Sequence, residues 1–135
     1  PSQTLIALGY DPAIRNQNLY GSAQISSLKN NLRLVVLSGC HSGHGEKLPG
    51  AGLMGLTRSW LLAGASSVTA TYWPIPDHNG NFFISFYRNY LGAIQNGVIY
   101  PAAKALQLAQ IETLSSSDWS SAISYWASFF LISKE

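Results

Sequence analysis

Apolar positions along the chain fall into two rhythms. Leu34, Val35, Val36 and Leu37 follow one another without a polar interruption, the pattern of a strand covered on both faces in the middle of a parallel sheet. Ser67 to Tyr72 (SVTATY) is rich in β-branched and aromatic residues and predicts a second core strand. Gln3 to Leu8 (QTLIAL) predicts a short strand stopping at Gly9, and Trp126 to Ile132 (WASFFLI) predicts a closing strand. The second rhythm is helical. Leu53, Leu56, Trp60 and Ala63 share one helical face, with Gly64 placed as a C-cap. Phe82, Phe83, Phe86, Tyr87, Tyr90, Leu91 and Ile94 recur at three and four, which predicts one long amphipathic helix ending at Gly97. Pro101 suits the first turn of another helix, PAAKALQLAQIETL, expected to pack Ala105, Leu108 and Ala109 on the sheet. Ser22 is expected to cap a short helix, Ala23 to Lys29, with Ile25 and Leu28 on one face. The polar stretch Asp11 to Asn18, with Pro12, predicts a loop, and Ser115 to Ser121 a serine-rich turn. Strands alternating with helices imply right-handed crossovers and a layered α/β fold with a mostly parallel central sheet flanked by helices.

Composition adds one expectation to this pattern. Charged residues make up 10% of the 135, against about 25% in a typical soluble domain, so the chain has few charges with which to cover itself. Part of its surface is expected to be covered by another domain or a second chain. The eight Lys and Arg are scattered singly from Arg15 to Lys134 within a net charge of +2, which argues against a direct nucleic-acid footprint. No run of about 18 apolar residues predicts a membrane span, and PSQTLIALG lacks the features of a signal peptide. One cysteine cannot form an internal disulfide, which fits a reducing, cytoplasmic setting. Pro rather than Met at position 1 leads us to expect a fragment, a processed chain or an interior piece of a larger polypeptide.

The cysteine is also where chemistry is expected. Cys40 follows the LVVL strand within a loop of Gly39, His41, Ser42, Gly43, His44 and Gly45, and the carboxyl ends of strands are where open α/β sheets bind ligands. Small residues let backbone N–H groups approach a substrate carbonyl, as an oxyanion site at Gly39 and Cys40 requires. A lone cysteine is otherwise commonly buried and inert. A thiol nucleophile needs a histidine within reach, and in an extended segment the side chain of His41 points away from Cys40. A zinc site at Cys40, His41 and His44 is disfavoured by poor spacing and the want of a second cysteine, so no metal is expected. A Cys-x5-Arg phosphatase loop fails because Glu46 stands where the arginine is required. Gly50, Gly52 and Gly55 spell G-x-G-x-x-G before a helix, but a loop with Pro49 separates them from the strand, so a dinucleotide cofactor is not expected. Asp77, after the WPIPD corner, suits a helix N-cap, or a pocket beside Cys40 if both strands end on one sheet edge.

Four stretches taken together, LVVLSGCHSGHGE, GAGLMGLTRSWLLAGASSVTATYWPIPD, AAKALQLAQIE and SYWASFFLI, resemble the C-terminal part of a CHAT domain. This is the caspase-like and separase-like cysteine peptidase family often attached to tetratricopeptide repeats. The resemblance runs from about Gly21 to Ile132, in order. Ser42 interrupts the familiar caspase sequence between His41 and Gly43.

The resemblance implies a caspase-hemoglobinase-like fold, residues 1–135 forming the C-terminal part of one domain that is incomplete at its N-terminus. It implies a thiol protease acting on a protein substrate, with Cys40 as nucleophile. The family's histidine sits in a His-Gly element upstream, and no His-Gly lies between Pro1 and Cys40. The catalytic His is therefore expected from the N-terminal part of the same protein or from a second chain. Trp73 and Asp77 fall in the segment that pairs with substrate in caspase-like peptidases, where a carboxylate would favour Arg or Lys before the cut. Tetratricopeptide repeats or a regulatory complex are the implied partners. The alternative is an interaction or scaffold module of the same fold without turnover.

Overall fold

A computed structural model of the chain describes residues 5–11, 16–38, 51–73, 75, 80–116 and 123–134, with backbone alone at 7–11, 16–18, 51–53 and 124. These residues form a mixed α/β structure in two compact units, one comprising Pro1–Val68 with Ile132–Glu135 and the other Thr69–Leu131. Among the described residues no helix is long and apolar enough to cross a membrane.

The first unit opens with an antiparallel hairpin, β1 (Leu5–Asp11) and β2 (Asn16–Gly21), in which Leu5 faces Gly21 and Asp11 faces Asn16. An irregularity between Ala7 and Tyr10 shifts the register. Here the expected loop from Asp11 to Asn18 is partly strand, because ladder pairing overrides the weak strand preference of Asn16, Gln17 and Asn18. Helix α1 (Ser22–Ser27) follows directly. Gly21, rather than Ser22, is its N-cap, and Gln24 Oε1 accepts the Gly21 N–H at 2.6 Å, satisfying a donor that the helix leaves open. Ile25 is completely buried.

Helix α2 (Ala51–Ala63) packs on α1, and a Cβ added at Gly55 would lie 3.5 Å from Ser22 Oγ. Its buried residues include Leu56, Thr57, Ser59 and Ala63, the two hydroxyls bonding back to Met54 O and Gly55 O. Gly64 ends α2 with φ +119°. Gly64 N donates to Leu61 O and Ala65 N to Trp60 O, the paired bonds of a Schellman cap.

Three strands form the second sheet in the order β3 (Val35–Val36), β4 (Ser67–Thr71), β5 (Phe129–Ser133). The expectation that Leu34 to Leu37 form the strand covered on both faces is corrected. Leu34 to Leu37 are half-buried, and the fully buried middle strand is β4. Among the described residues β3 has one strand neighbour, so one of its edges lacks the cover that β4 receives from both sides. Ser67 and Thr69 stay buried because β5 satisfies them: Ser67 Oγ lies 2.7 Å from Ser133 Oγ, and Thr69 Oγ1 donates to Phe130 O at 2.8 Å.

The sheet is mixed, which departs from the mostly parallel sheet expected. Lys134 N donates to Ser66 O, and Tyr72 N to Ser128 O, so β5 rises in residue number as β4 falls and the pair is antiparallel. The reason lies in the second unit. Helices α3 (Gly80–Gln95) and α4 (Pro101–Ser115) pair, with Ser85 and Asn89 meeting Glu112. Two long antiparallel helices bring the chain back to the end of β4 from which it left, and β5 then runs the opposite way.

The predicted long helix is α3, and Gly97 ends it at φ +65° with a second Schellman pair, Gly97 N to Ile94 O and Val98 N to Ala93 O. It buries Phe82, Ser85, Phe86 and Ala93. Tyr87 and Leu91, expected on the core stripe, are exposed. Phe82 stacks on Phe129 of β5, with centroids 4.1 Å apart and planes at 7°. On α4 the buried face is Ala102, Ala105, Leu106 and Ala109, so Leu106 takes the place expected for Leu108. The closing segment divides into α5 (Ile123–Trp126) and β5, because Gln110 Nε2 donates to Trp126 O at 3.0 Å and occupies a carbonyl at the helix end.

Candidate functional site

The candidate chemistry of the chain falls at two strand ends. The first is the end of β3, where the described chain continues through half-buried Leu37 to exposed Ser38. Gly39, Cys40, His41, His44 and the glycine at 50 lie outside the described residues, so the nucleophile and oxyanion assignments rest on the sequence alone. What the structure supplies in the first unit is the frame around that segment. β3 leads into it and α2 leads out of it, and α2 packs on α1, whose Ile25 is fully buried. Asn30 N donates to Ala63 O and Ser66 N to Leu32 O, which ties the entry to β3 to the end of α2 and the start of β4. Leu32 N in turn donates to Asn30 Oδ1 at 3.2 Å, a local turn that sets the chain direction before the strand.

The second strand end belongs to the second unit. β4 finishes at Thr71, and Tyr72 N donates to Ser128 O at 2.8 Å. Beyond it the chain turns two aromatic rings outward. Tyr72 is 54% exposed and Trp73 40% exposed, their centroids 6.1 Å apart. The Tyr72 ring also lies 4.4 Å from Phe130 of β5, while Ile75 is buried. Trp73 is thus the one predicted site residue among those described, and it is open to solvent with Tyr72 beside it. Asp77 and His78 lie outside the described residues. The sequence pattern places Tyr72 in the strand and misses its membership of this outward pair. The available signal is two large aromatics next to a proline that ends a buried strand.

Away from these strand ends, the described charge cluster lies between α3 and α4. Glu112 Oε2 accepts from Ser85 Oγ and Arg88 Nη2, each at 2.5 Å, and Asn89 Nδ2 donates to Glu112 Oε1 at 3.1 Å. The Ser85 hydroxyl holds the Glu112 carboxyl below the ordinary carboxylate range, helped by Asn89 and Arg88 and opposed by slight desolvation. Both carboxylate oxygens are engaged by neighbours on α3, which makes the cluster a clasp between helices.

Comparison with known proteins supplies what the described geometry does not. The CHAT domain model matches residues 1–134. Tetratricopeptide repeat protein 28 from Mus musculus is 31% identical over 118 residues, and its Homo sapiens counterpart is 33% identical over 118 residues. Each alignment covers 87% of this chain and 4% of the relative, so the chain spans a small part of the curated relatives it matches. No solved structure matches it.

Proposed function

Because the chain belongs to the CHAT domain family, a caspase-like peptidase family, we propose that it carries the nucleophile of a cysteine endopeptidase. The observation behind this reading is the position of the single cysteine, four residues after Val36 of β3, within a stretch the family model matches. In the proposed reaction a histidine from outside these 135 residues takes the Cys40 thiol proton, and the thiolate attacks the scissile carbonyl. Backbone N–H groups at Gly39 and Cys40 hold the oxyanion. The C–N bond then breaks, the amine leaves with the proton from the histidine, and water hydrolyses the thioester to free the thiol. Trp73 and Asp77 contribute to substrate selection, Asp77 through a preference for Arg or Lys before the cut. In this reading the chain is completed by a caspase-hemoglobinase-like sheet, with the histidine-bearing strand alongside β3. It is carried in a polypeptide with tetratricopeptide repeats, as the names of its relatives suggest.

The test uses the whole polypeptide that carries this chain. A thiol-directed peptide probe should label Cys40 at neutral and mildly acidic pH, since a paired thiolate persists below the roughly 8.5 of a free thiol. Cys40→Ala should abolish both labelling and turnover while leaving thermal unfolding unchanged. Cleavage that survives Cys40→Ala would refute the mechanism. A second reading, an interaction module without turnover, draws on the relatives' names, which speak of repeats and not of a peptidase. It predicts ordinary thiol reactivity and no cleavage.

A further inference from the structure

Part of the uncovered apolar surface of the second unit lies on one flank of α3 and in the turn after it. Ile84, Tyr87 and Leu91 recur at i, i+3 and i+7, and Ile84 and Leu91 are 64% and 59% exposed. The opposite side of the helix buries Phe82, Phe86 and Ala93. The clasp to α4 borders this flank, since Arg88, four residues from Ile84 and three from Leu91, holds Glu112 together with Ser85 and Asn89. The Schellman cap at Gly97 then folds Val98 back onto the last turn, and Ile99 and Tyr100 follow, Ile99 being 83% exposed. These six side chains carry no charge. A single exposed leucine needs no explanation, but an apolar stripe edged by Arg88 and followed by an apolar turn marks an interaction surface.

Its geometry selects the kind of partner. The backbone N–H and C=O groups along α3 are used within the helix, so strand addition has nothing to pair with and binding must go through side chains. Ridges spaced at three and four fit the grooves of another helix. Size selects the connection. Six such side chains offer on the order of several hundred Å² per side, in the range of domain contacts within one polypeptide and short of the roughly 800 Å² per partner of a free-standing complex. A contact of that size holds when a tether supplies a high effective concentration. The relatives name the tethered material: they are tetratricopeptide repeat proteins of which the matched region makes up 4%. Such repeats are helix pairs that stack on their neighbours, and the last in an array needs its apolar face covered.

We propose that the Ile84–Tyr87–Leu91 flank of α3, with the Val98–Tyr100 turn, docks a helix of a tetratricopeptide array in the same polypeptide. This rests on the reading above that the chain is carried beside such repeats. It assigns them a seat on the second unit, independent of the cysteine.

The experiment replaces Leu91 with the photo-crosslinker p-benzoylphenylalanine in the whole polypeptide and identifies the captured peptide by mass spectrometry. The expected capture is a repeat helix of the same molecule. It should be lost when Ile84→Asp and Ile99→Asp are added, two exposed positions whose change should leave far-UV circular dichroism unaltered. The same crosslinker at Ser115, exposed at the end of α4 far from Tyr100, should capture no repeat. Capture of a second copy, capture of nothing, capture that survives the double variant, or a whole polypeptide without repeats would each overturn the proposal. Cys40 labelling on the same samples separates the two readings: lost capture with intact labelling counts against the docking face alone.

Discussion

Replacing Gly64 by alanine tests the junction that frames the β3 entry. At φ +119° an L side chain is strained whatever the space around it, at a cost of about 1–3 kcal/mol. Space is also lacking, since a Cβ at this position would lie 2.0 Å from Asn30 O and 3.1 Å from Asn30 C. Both atoms are backbone, so no side chain can swing aside. Relief requires the Asn30 peptide to move, which breaks the 2.9 Å bond from Asn30 N to Ala63 O at a cost of about 0.5–1.5 kcal/mol. The two costs together come to about 1.5–4.5 kcal/mol, a large share of the roughly 5–15 kcal/mol that holds a domain together. Gly97→Ala is the internal control. There φ is +65° and nothing lies within 4 Å of the added Cβ, so the backbone term of about 1–2 kcal/mol stands alone. Urea unfolding of both variants, followed by tryptophan fluorescence and by hydrogen exchange in each unit, gives the comparison. Equal losses from the two substitutions would refute the steric argument, and a neutral Gly64→Ala would refute the whole account of the junction.

Two further perturbations address the helix pair. Glu112→Gln should cost no more than about 1 kcal/mol, because the clasp is largely solvent-exposed. With the folded carboxyl held below its ordinary 4.5, the contribution of Glu112 is present above that value and lost as pH falls through the folded pKa. The gap between wild type and variant in thermal unfolding should therefore close in acid, and a gap that widens there would contradict the assignment. Phe86→Ala removes a side chain that is 1% exposed and stacked on Tyr90 with planes at 5°. Chemical denaturation should show a loss of about 3–5 kcal/mol, and a loss under 1 kcal/mol would mean that α3 does not anchor the second unit.

Much of this chain is legible from the local chemistry of its residues. A run of β-branched residues forms β4, and aromatics at three and four form α3. Gly64, Gly97 and Pro101 end or start helices for reasons that reside in their own backbones, and each stands at the boundary its residue type predicts. The position of Cys40 after an apolar strand and the four stretches that resemble CHAT domains are likewise readable from residue order. Distant neighbours decide the rest. Asn16 to Asn18 are strand because β1 lies opposite them, and Leu34 to Leu37 are half-buried because β4, with β5 on its other side, is the middle strand. The direction of β5 follows from the return path through α3 and α4, which no local pattern encodes. Tyr87 and Leu91 carry the same helical periodicity as Phe82 and Phe86, but Phe129 of β5 meets Phe82 and Phe83, and Tyr87 and Leu91 stay exposed. Periodicity tells a helix which residues share a face, and only the packed neighbours decide which face is covered.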